Sequence, residues 1–356
     1  MSEGTKTNNR NQIQTFQVQG SHYEVGLQLG RLLKNNIISQ VNQLKSNENW
    51  DNIKSESALF FLESEKVMPE YISEIKGAAD GAGLDPTDVF ATLCEELFHS
   101  DYTYNCGCSD LVASADVTED GSILIGHNND ILASLQDDIT IVHYKVENEP
   151  EIIAVGVGLG ISVGYNSDGI SLTGNKLNMN DMRVGIPRML LVRKILAASR
   201  IGEAFEAAIL KQRASNYNQL IVDSNGEIYS IESSATDFET IFANDGYLAH
   251  TNHYTSPRMK KFELDPGLIS DSVIRQNRCC RLLKNNLGRI NVGKMKEFLS
   301  DHVNYPYSIC NHGEKIKTVF SIIINLSTLK MWLSKGNPCE ADYIEYSPFS
   351  KIKGHS

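Results

Sequence analysis

Nowhere does the chain hold a run of roughly 18 or more apolar residues, the length a membrane-spanning helix needs. Its opening, Met1-Ser-Glu-Gly-Thr-Lys-Thr-Asn-Asn-Arg-Asn-Gln, has no apolar segment of the kind that directs secretion. A cytoplasmic protein without membrane contact is therefore expected. Basic charge is also scarce: 33 Lys and Arg against 44 Asp and Glu leave a formal net charge of −11, so the electrostatic footprint of a nucleic-acid binder is missing. The seven cysteines, at 94, 106, 108, 279, 280, 310 and 339, are odd in number and form no disulfide framework. Cys106-Gly-Cys108 lacks the two-residue gap of zinc ligand pairs and no Cys or His pair follows at finger-like distance, while His250 and His253 make an incomplete ligand set, so no metal is expected. Trp50 and Trp332 form no aromatic cage. The glycines of Gly156-Val-Gly158-Leu-Gly160 are followed by a strand pattern where a dinucleotide loop requires a helix, and no cofactor is expected. Repeats are absent, as is low-complexity sequence beyond the polar start. What remains is 356 residues, 41% hydrophobic and 22% charged, the composition of a soluble globular protein of one or two domains.

Periodicity divides the chain. Val25, Leu29, Leu32, Leu33 and Ile37 recur at helical spacing from Tyr23 to about Lys45, and similar patterns run over 59–67, 69–82 and 86–97. Asp85 and Pro86 read as the N-cap and first position of the last of these. Beyond residue 108 strands dominate, at 109–116, 122–128, 139–147, 152–158, 161–165, 169–174, 218–223, 227–232, 239–243, 317–325 and 328–333, with helices at about 186–199, 202–213, 271–286 and 292–301. Asp223-Ser-Asn-Gly226 marks a hairpin. Strands with helices segregated from them predict an α+β layered fold.

The chemistry concentrates on the Gly107-Cys108 step that opens the run Ser109-Asp-Leu-Val-Ala-Ser114. A cysteine released at a chain start carries a thiol of pKa about 8.5 and an α-amine of about 7.7 to 8.0, and the amine can serve as the thiol's own base. Gly107 suits a cleavage junction, since a residue without Cβ lets the thiol reach the preceding carbonyl. A hairpin through Thr118-Glu-Asp-Gly121 carries the second strand, ending Gly126-His127-Asn128-Asn129-Asp130, back toward Cys108. Two further apolar runs end in polar groups, at Gly174-Asn175 and at His250-Thr251-Asn252-His253. Amide N–H groups near a nucleophile are what an oxyanion hole needs.

Through these residues the chain resembles the penicillin acyltransferase and peptidase C45 family of N-terminal-nucleophile hydrolases, with choloylglycine hydrolases and penicillin V acylases as more distant relatives. The similarity runs through Gly20-Ser-His-Tyr-Glu24-Val-Gly26-Leu-Gln-Leu-Gly30, Glu74-Ile-Lys-Gly77-Ala-Ala-Asp80-Gly81, Gly107-Cys108, Gly126-His-Asn-Asn-Asp130, Gly169-Ile-Ser-Leu-Thr-Gly-Asn175, Thr251-Asn252, Thr318-Val-Phe-Ser and Gly336-Asn-Pro338. Each motif alone is weak; their order and spacing are specific. The resemblance implies a four-layer αββα sandwich, self-cleavage between Gly107 and Cys108, and two chains, 1–107 (largely helical) and 108–356 (catalytic), that stay associated. It makes Cys108 the nucleophile, Asp130 the carboxylate that orients its amine, and Asn252 and Asn175 the amides at the oxyanion. His127 stands where relatives carry Arg or Gln; with Asn129 and His253 it is a candidate for substrate contact. The implied substrate is a small amide, cleaved by water or transferred to another amine. Hydrolase and acyltransferase share every step up to the thioester, and both stay open, as does a noncatalytic α+β protein whose Asn and Asp residues merely make turns.

Overall fold

A computed structural model describes residues 13–98 and 107–349. Two sheets lie face to face. The larger has eight strands in the order β1-β4-β5-β6-β7-β8-β9-β10, the smaller six in the order β11-β2-β3-β12-β13-β14. The larger comprises β1 (Gln14–Gly20), β4 (Ile139–Val146), β5 (Ile152–Val157), β6 (Gly160–Asn166), β7 (Ile170–Asn175), β8 (Asn218–Asp223), β9 (Ile228–Ser233) and β10 (Phe238–Phe242). The smaller comprises β2 (Gly107–Ala113), β3 (Leu124–Leu132), β11 (Tyr247–His250), β12 (Ile316–Asn325), β13 (Lys330–Lys335) and β14 (Ile344–Tyr346). Among the described residues every pairing within the two sheets is antiparallel except β1 with β4.

Side-chain alternation along each strand sorts the apolar residues into layers. On β5, Ile153 and Val155 face the space between the sheets, joining Val163, Tyr165, Leu220 and Val222 of the larger sheet and Val112, Ile125, Ile322 and Ile324 of the smaller. Their neighbours Ile152 and Ala154 face outward onto helices α1 (His22–Leu32), α2 (Lys34–Lys45), α3 (Trp50–Val67), α4 (Pro69–Ala82), α5 (Pro86–Ala91), α6 (Arg188–Leu196) and α7 (Ile201–Ala208). On the smaller sheet, Leu111, Leu124 and Ile323 face outward onto α8 (Ser270–Lys284) and α9 (Val292–Leu299) through Cys279, Leu283, Met295 and Leu299. The layers therefore run helix, sheet, sheet, helix, as expected. Among the described residues no helix is long and apolar enough to cross a membrane.

The local reading is met at several points. Asp85 accepts from the backbone N–H groups of Thr87 and Asp88 with Pro86 in the first turn, and the Asp223 to Gly226 turn joins β8 to β9. The glycine run at 156–160 is the β5–β6 turn, where Gly158 takes a φ of +61°. Elsewhere the structure departs. One expected helix over 23–45 is two, divided at Leu33, whose ψ of 15° leaves the helical basin. Helix α5 stops at Ala91 and a short 3-10 turn at Glu95–Phe98 follows. The first segment is also not purely helical, because β1 lies in the larger sheet beside β4.

Helices α1 and α4 meet backbone to backbone. A Cβ on Gly26 would lie 1.8 Å from the Glu74 carbonyl oxygen, and one on Gly77 would lie 2.1 Å from that of Tyr23. Glycines spaced four apart on both helices (26 and 30, 77 and 81) line this contact.

Candidate active site

Strand β2 enters the sandwich at Gly107. Its register with β3 sets Gly107 opposite Asp130, Cys108 opposite Asn129 and Asp110 opposite His127, and β11 on its other side sets His250 opposite Asp110. Alternation then divides the polar residues. Cys108, Asp110, His127 and Asn129 share the face of Val112 and Ile125 toward the sheet interface, whereas Gly107, Ser109, Asn128 and Asp130 share the face of Leu111 and Leu124 toward α8 and α9.

The Cys108 backbone N–H donates to Asn252 Oδ1 at 2.7 Å. The same oxygen accepts from Arg275 Nη2 at 2.9 Å, while Arg275 Nη1 donates to the Cys108 carbonyl oxygen at 2.5 Å and to Ser109 Oγ at 3.0 Å. Arg275, on α8, is almost wholly buried and ties the Cys108 carbonyl to Asn252, whose Oδ1 holds the Cys108 N–H. Asn252 Nδ2 donates to the Lys176 carbonyl at 3.2 Å, just past β7, which leaves its second N–H for another acceptor. The Cys108 side chain is buried and lies outside any disulfide.

Asp130 is fully buried. Its Oδ1 accepts from Thr318 Oγ1 at 2.7 Å and its Oδ2 from Asn311 Nδ2 at 3.4 Å. Burial pushes its carboxyl up to about 6, a rise limited by Arg275, by those two donors and by His127. A Cβ at Gly107 would meet Asp130 Oδ2 at 2.9 Å, so a side chain there would displace the carboxylate that lies against the backbone just before Cys108.

Asn175 ends β7, which packs against β2 across the sandwich. Its Oδ1 accepts from Asn218 Nδ2 at 3.3 Å and lies 3.0 Å from His250 Nδ1. Its Nδ2 is buried with no hydrogen-bond partner among the described residues. An orphaned buried amide donor is costly unless an acceptor arrives from outside the chain. On its other side His250 lies 2.9 Å from Glu232 Oε1, and Glu232 also accepts from Thr255 N and Oγ1 and from Ser256 N. A buried carboxylate thus fixes the loop that follows β11.

The three residues expected at substrate divide. Asn129 stands beside Cys108 in register, with its side-chain oxygen buried and unpaired among the described residues. His127 is fully buried, with Nδ1 2.7 Å from Asp110 Oδ1 and Nε2 3.5 Å from Asn129 Nδ2, two residues along β3 from Asn129 on the same face. His253 turns its Nδ1 to Ser272 Oγ at 2.8 Å, and that hydroxyl also receives the Asn252 backbone N–H at 2.7 Å. Burial holds the His253 imidazole down at about 4, so at neutral pH it is an uncharged brace for the loop. His250 and His253 each have protein partners and do not converge. Cys106 lies outside the described residues.

Arg275 and Glu232 escape sequence reading, although α8 carries a signal for the former. Its buried stripe is Ser272, Arg275, Cys279 and Leu283, so a charged residue sits at helical spacing on an otherwise buried face, where an arginine needs specific partners.

Helix, sheet, sheet and helix in that order is the layer arrangement of the N-terminal-nucleophile hydrolases. The chain belongs to the acyl-coenzyme A:6-aminopenicillanic acid acyl-transferase family, whose model matches residues 117–340. That stretch begins after Cys108 and holds Asp130, Asn175, Asn252 and Arg275. The chain is 22% identical over 395 aligned positions to the β-alanyl-dopamine/carcinine hydrolase of Drosophila melanogaster, covering 96% of this chain and 97% of that protein. Among solved structures it is similar to a mutant of the conjugated bile acid hydrolase of Clostridium perfringens, at 14% identity with a TM-score of 0.44 over 70% of this chain and 95% of that one. It is also similar to the penicillin V acylase of Agrobacterium tumefaciens, at 9% identity with a TM-score of 0.46 over 64% and 83%. Membership of this family makes the protein an amide hydrolase or acyltransferase.

Proposed function

We propose that the chain cleaves itself between Gly107 and Cys108 and then hydrolyses a small acyl amide through a thioester on Cys108. What most supports this is the grip on the Cys108 backbone: its N–H is held by Asn252, its carbonyl by Arg275, and the Asp130 carboxylate lies against the preceding glycine. In maturation the thiol attacks the Gly107 carbonyl carbon, the Gly107–Cys108 C–N bond breaks as the amine takes up a proton, and water releases residue 107 as a carboxylate. The new α-amine keeps Asn252 Oδ1 as its acceptor, with Asp130 orienting it.

In turnover the amine takes the thiol proton, and the thiolate attacks the substrate carbonyl. Charge on the carbonyl oxygen meets the unpaired Asn175 Nδ2–H and the spare N–H of Asn252. The α-ammonium then protonates the leaving amine, and water opens the thioester. The chemistry calls on no cofactor. Asn129, beside Cys108, is the nearest of the candidate substrate contacts, with His127 holding Asn129 along the same face of β3 and His253 bracing the Asn252 loop. Hydrolysis is favoured by the nearly full-length alignment with a protein named as a hydrolase. The family's own description favours the second reading, in which the acyl group comes from coenzyme A and passes to an amine.

Intact mass under denaturing conditions tests the first step. Two chains, the second starting Cys-Ser-Asp-Leu, are expected from the wild type and one uncut chain from Cys108→Ala. A cut at another bond, or an active whole chain, overturns the scheme. Carcinine and β-alanyl-dopamine, named for the Drosophila relative, are the amides to try first. Release of free acid unchanged by excess acceptor amine supports the hydrolase; capture of nearly all the acyl group by the amine supports the transferase.

A further inference from the structure

Four side chains, three from residues 302–312 and one from position 339, converge at the rim of the smaller sheet. His302 follows α9, Cys310 and His312 lie on the loop leading into β12, and Cys339 follows β13. Their ligand atoms all lie within 4.8 Å of one another. His312 Nε2 is 3.2 Å from His302 Nε2 and 3.3 Å from both Cys310 Sγ and Cys339 Sγ, and the two sulfurs are 3.6 Å apart.

Hydrogen bonding does not account for this arrangement. A ring nitrogen has either one proton or one lone pair to offer, yet His312 Nε2 faces three polar atoms at once. A central cation accounts for all of them. Zinc bound at about 2.3 Å to sulfur and about 2.0 to 2.1 Å to imidazole nitrogen requires tetrahedral edges of about 3.8 Å between sulfurs, about 3.5 Å between sulfur and nitrogen and about 3.3 Å between nitrogens. The observed edges of 3.6, 3.3 and 3.2 Å follow the same order and fall slightly short. A disulfide, with sulfurs about 2.05 Å apart, explains neither the sulfur separation nor the two imidazoles.

The surroundings suit a metal centre. Asn337 Nδ2 lies 3.5 Å from Cys310 Sγ as a donor, and the same amide nitrogen donates to the Asn311 carbonyl at 2.7 Å, the outer-shell support that thiolate ligands require. Backbone bonds fix the loop independently: Cys310 N donates to the Asp301 carbonyl at 3.0 Å and His312 N to the Pro306 carbonyl at 2.8 Å. Two thiolates balance the charge of a divalent ion. Sequence pattern conceals the set because its spacing, His302, Cys310, His312 and then Cys339, matches no finger or ribbon.

We propose that His302, Cys310, His312 and Cys339 bind one Zn²⁺ in a closed tetrahedral site of structural type, contrary to the metal-free protein expected from sequence. With four protein ligands no coordination position is left for substrate, so the role is to fasten. What it fastens is Asn311, which lies between two ligands, donates through Nδ2 to Asp130 Oδ2 and through its backbone N–H to Thr318 Oγ1, the other donor to Asp130. The site is thus a clamp on the loop that holds the buried carboxylate.

Metal analysis of the full-length protein, produced with zinc supplied and purified without chelator, tests the site without reference to cleavage or activity. About one zinc per chain is expected, falling to roughly a tenth or less in the His302→Ala, Cys339→Ser double variant. Both positions are exposed, so that variant keeps the core intact, which circular dichroism checks. Replacing zinc with Co²⁺ should give the charge-transfer and d–d absorption of a tetrahedral thiolate site, and metal removal should lower the Tm by several degrees. The proposal is overturned if the reduced wild type neither retains nor takes up stoichiometric Zn²⁺ or Co²⁺, or if the double variant keeps the full metal content. It is equally overturned if mass mapping of unreduced protein finds Cys310 and Cys339 joined.

Discussion

Burial holds the Asp130 carboxyl at about 6, above its ordinary 3.8, because removing the charged form from water outweighs the help from Arg275, Thr318 and Asn311. The folded chain therefore binds this proton more tightly than the unfolded one, and the residue's contribution to stability declines as pH rises from about 4 through about 6. At neutral pH the ionised side chain costs stability. Asp130→Asn should accordingly keep or raise the Tm at neutral pH while slowing self-cleavage by about tenfold or more, since no carboxylate remains to hold the new amine; a lower Tm with normal cleavage would make the residue purely structural. Asn252→Ala should reduce turnover about a hundredfold in protein that still folds, as steady-state rates on cleaved enzyme can measure. Cys108, Asp130, Asn175 and Asn252 stand out in the sequence because each lies near a strand end where polar residues interrupt an apolar run, while the roles proposed for them come from the family resemblance. Arg275, 167 positions from Cys108, becomes visible only when α8 is laid on the smaller sheet.

Elements were legible where their signals are local. The Asp85–Pro86 cap and the Asp223–Gly226 turn need only neighbouring residues. The break at Leu33 is different, because apolar spacing continues across it and only the backbone turn at Leu33 divides α1 from α2. Strand β1 was missed since Gln14-Thr-Phe-Gln-Val-Gln-Gly offers only Phe16 and Val18 as apolar residues, with Val18 alone fully buried. The paired glycines of α1 and α4 belong to the quoted motifs, and the structure supplies their physical reason. Gly26→Ala drives a methyl into the Glu74 carbonyl 1.8 Å away; backbone cannot move aside as a side chain can. Denaturant titration should find a loss of about 3 kcal/mol, whereas Gly202→Ala, on a helix with nothing near the new methyl, should be neutral or slightly stabilising.

At the scale of the molecule, helix and strand content predicts layers, but the strand order was beyond reach because it turns on three pairings between distant segments, β1 with β4, β2 with β11 and β3 with β12. The larger sheet begins with β1, from the first segment, lying parallel to β4, from the second. If the chain is cut between Gly107 and Cys108 as proposed, those two strands belong to separate molecules, and every hydrogen bond between them becomes an intermolecular one. Unfolding is then also a dissociation, and its midpoint depends on mass action. The Tm of the cleaved enzyme should rise with protein concentration, while that of uncut Cys108→Ala should not; scanning calorimetry over a dilution series of about a hundredfold separates the two. Refolding should acquire the same asymmetry: an uncut precursor would recover at a rate independent of concentration, but a cleaved enzyme would have to wait for its halves to meet. A protein so cleaved would fold once as a single chain and afterwards owe its persistence to slow unfolding.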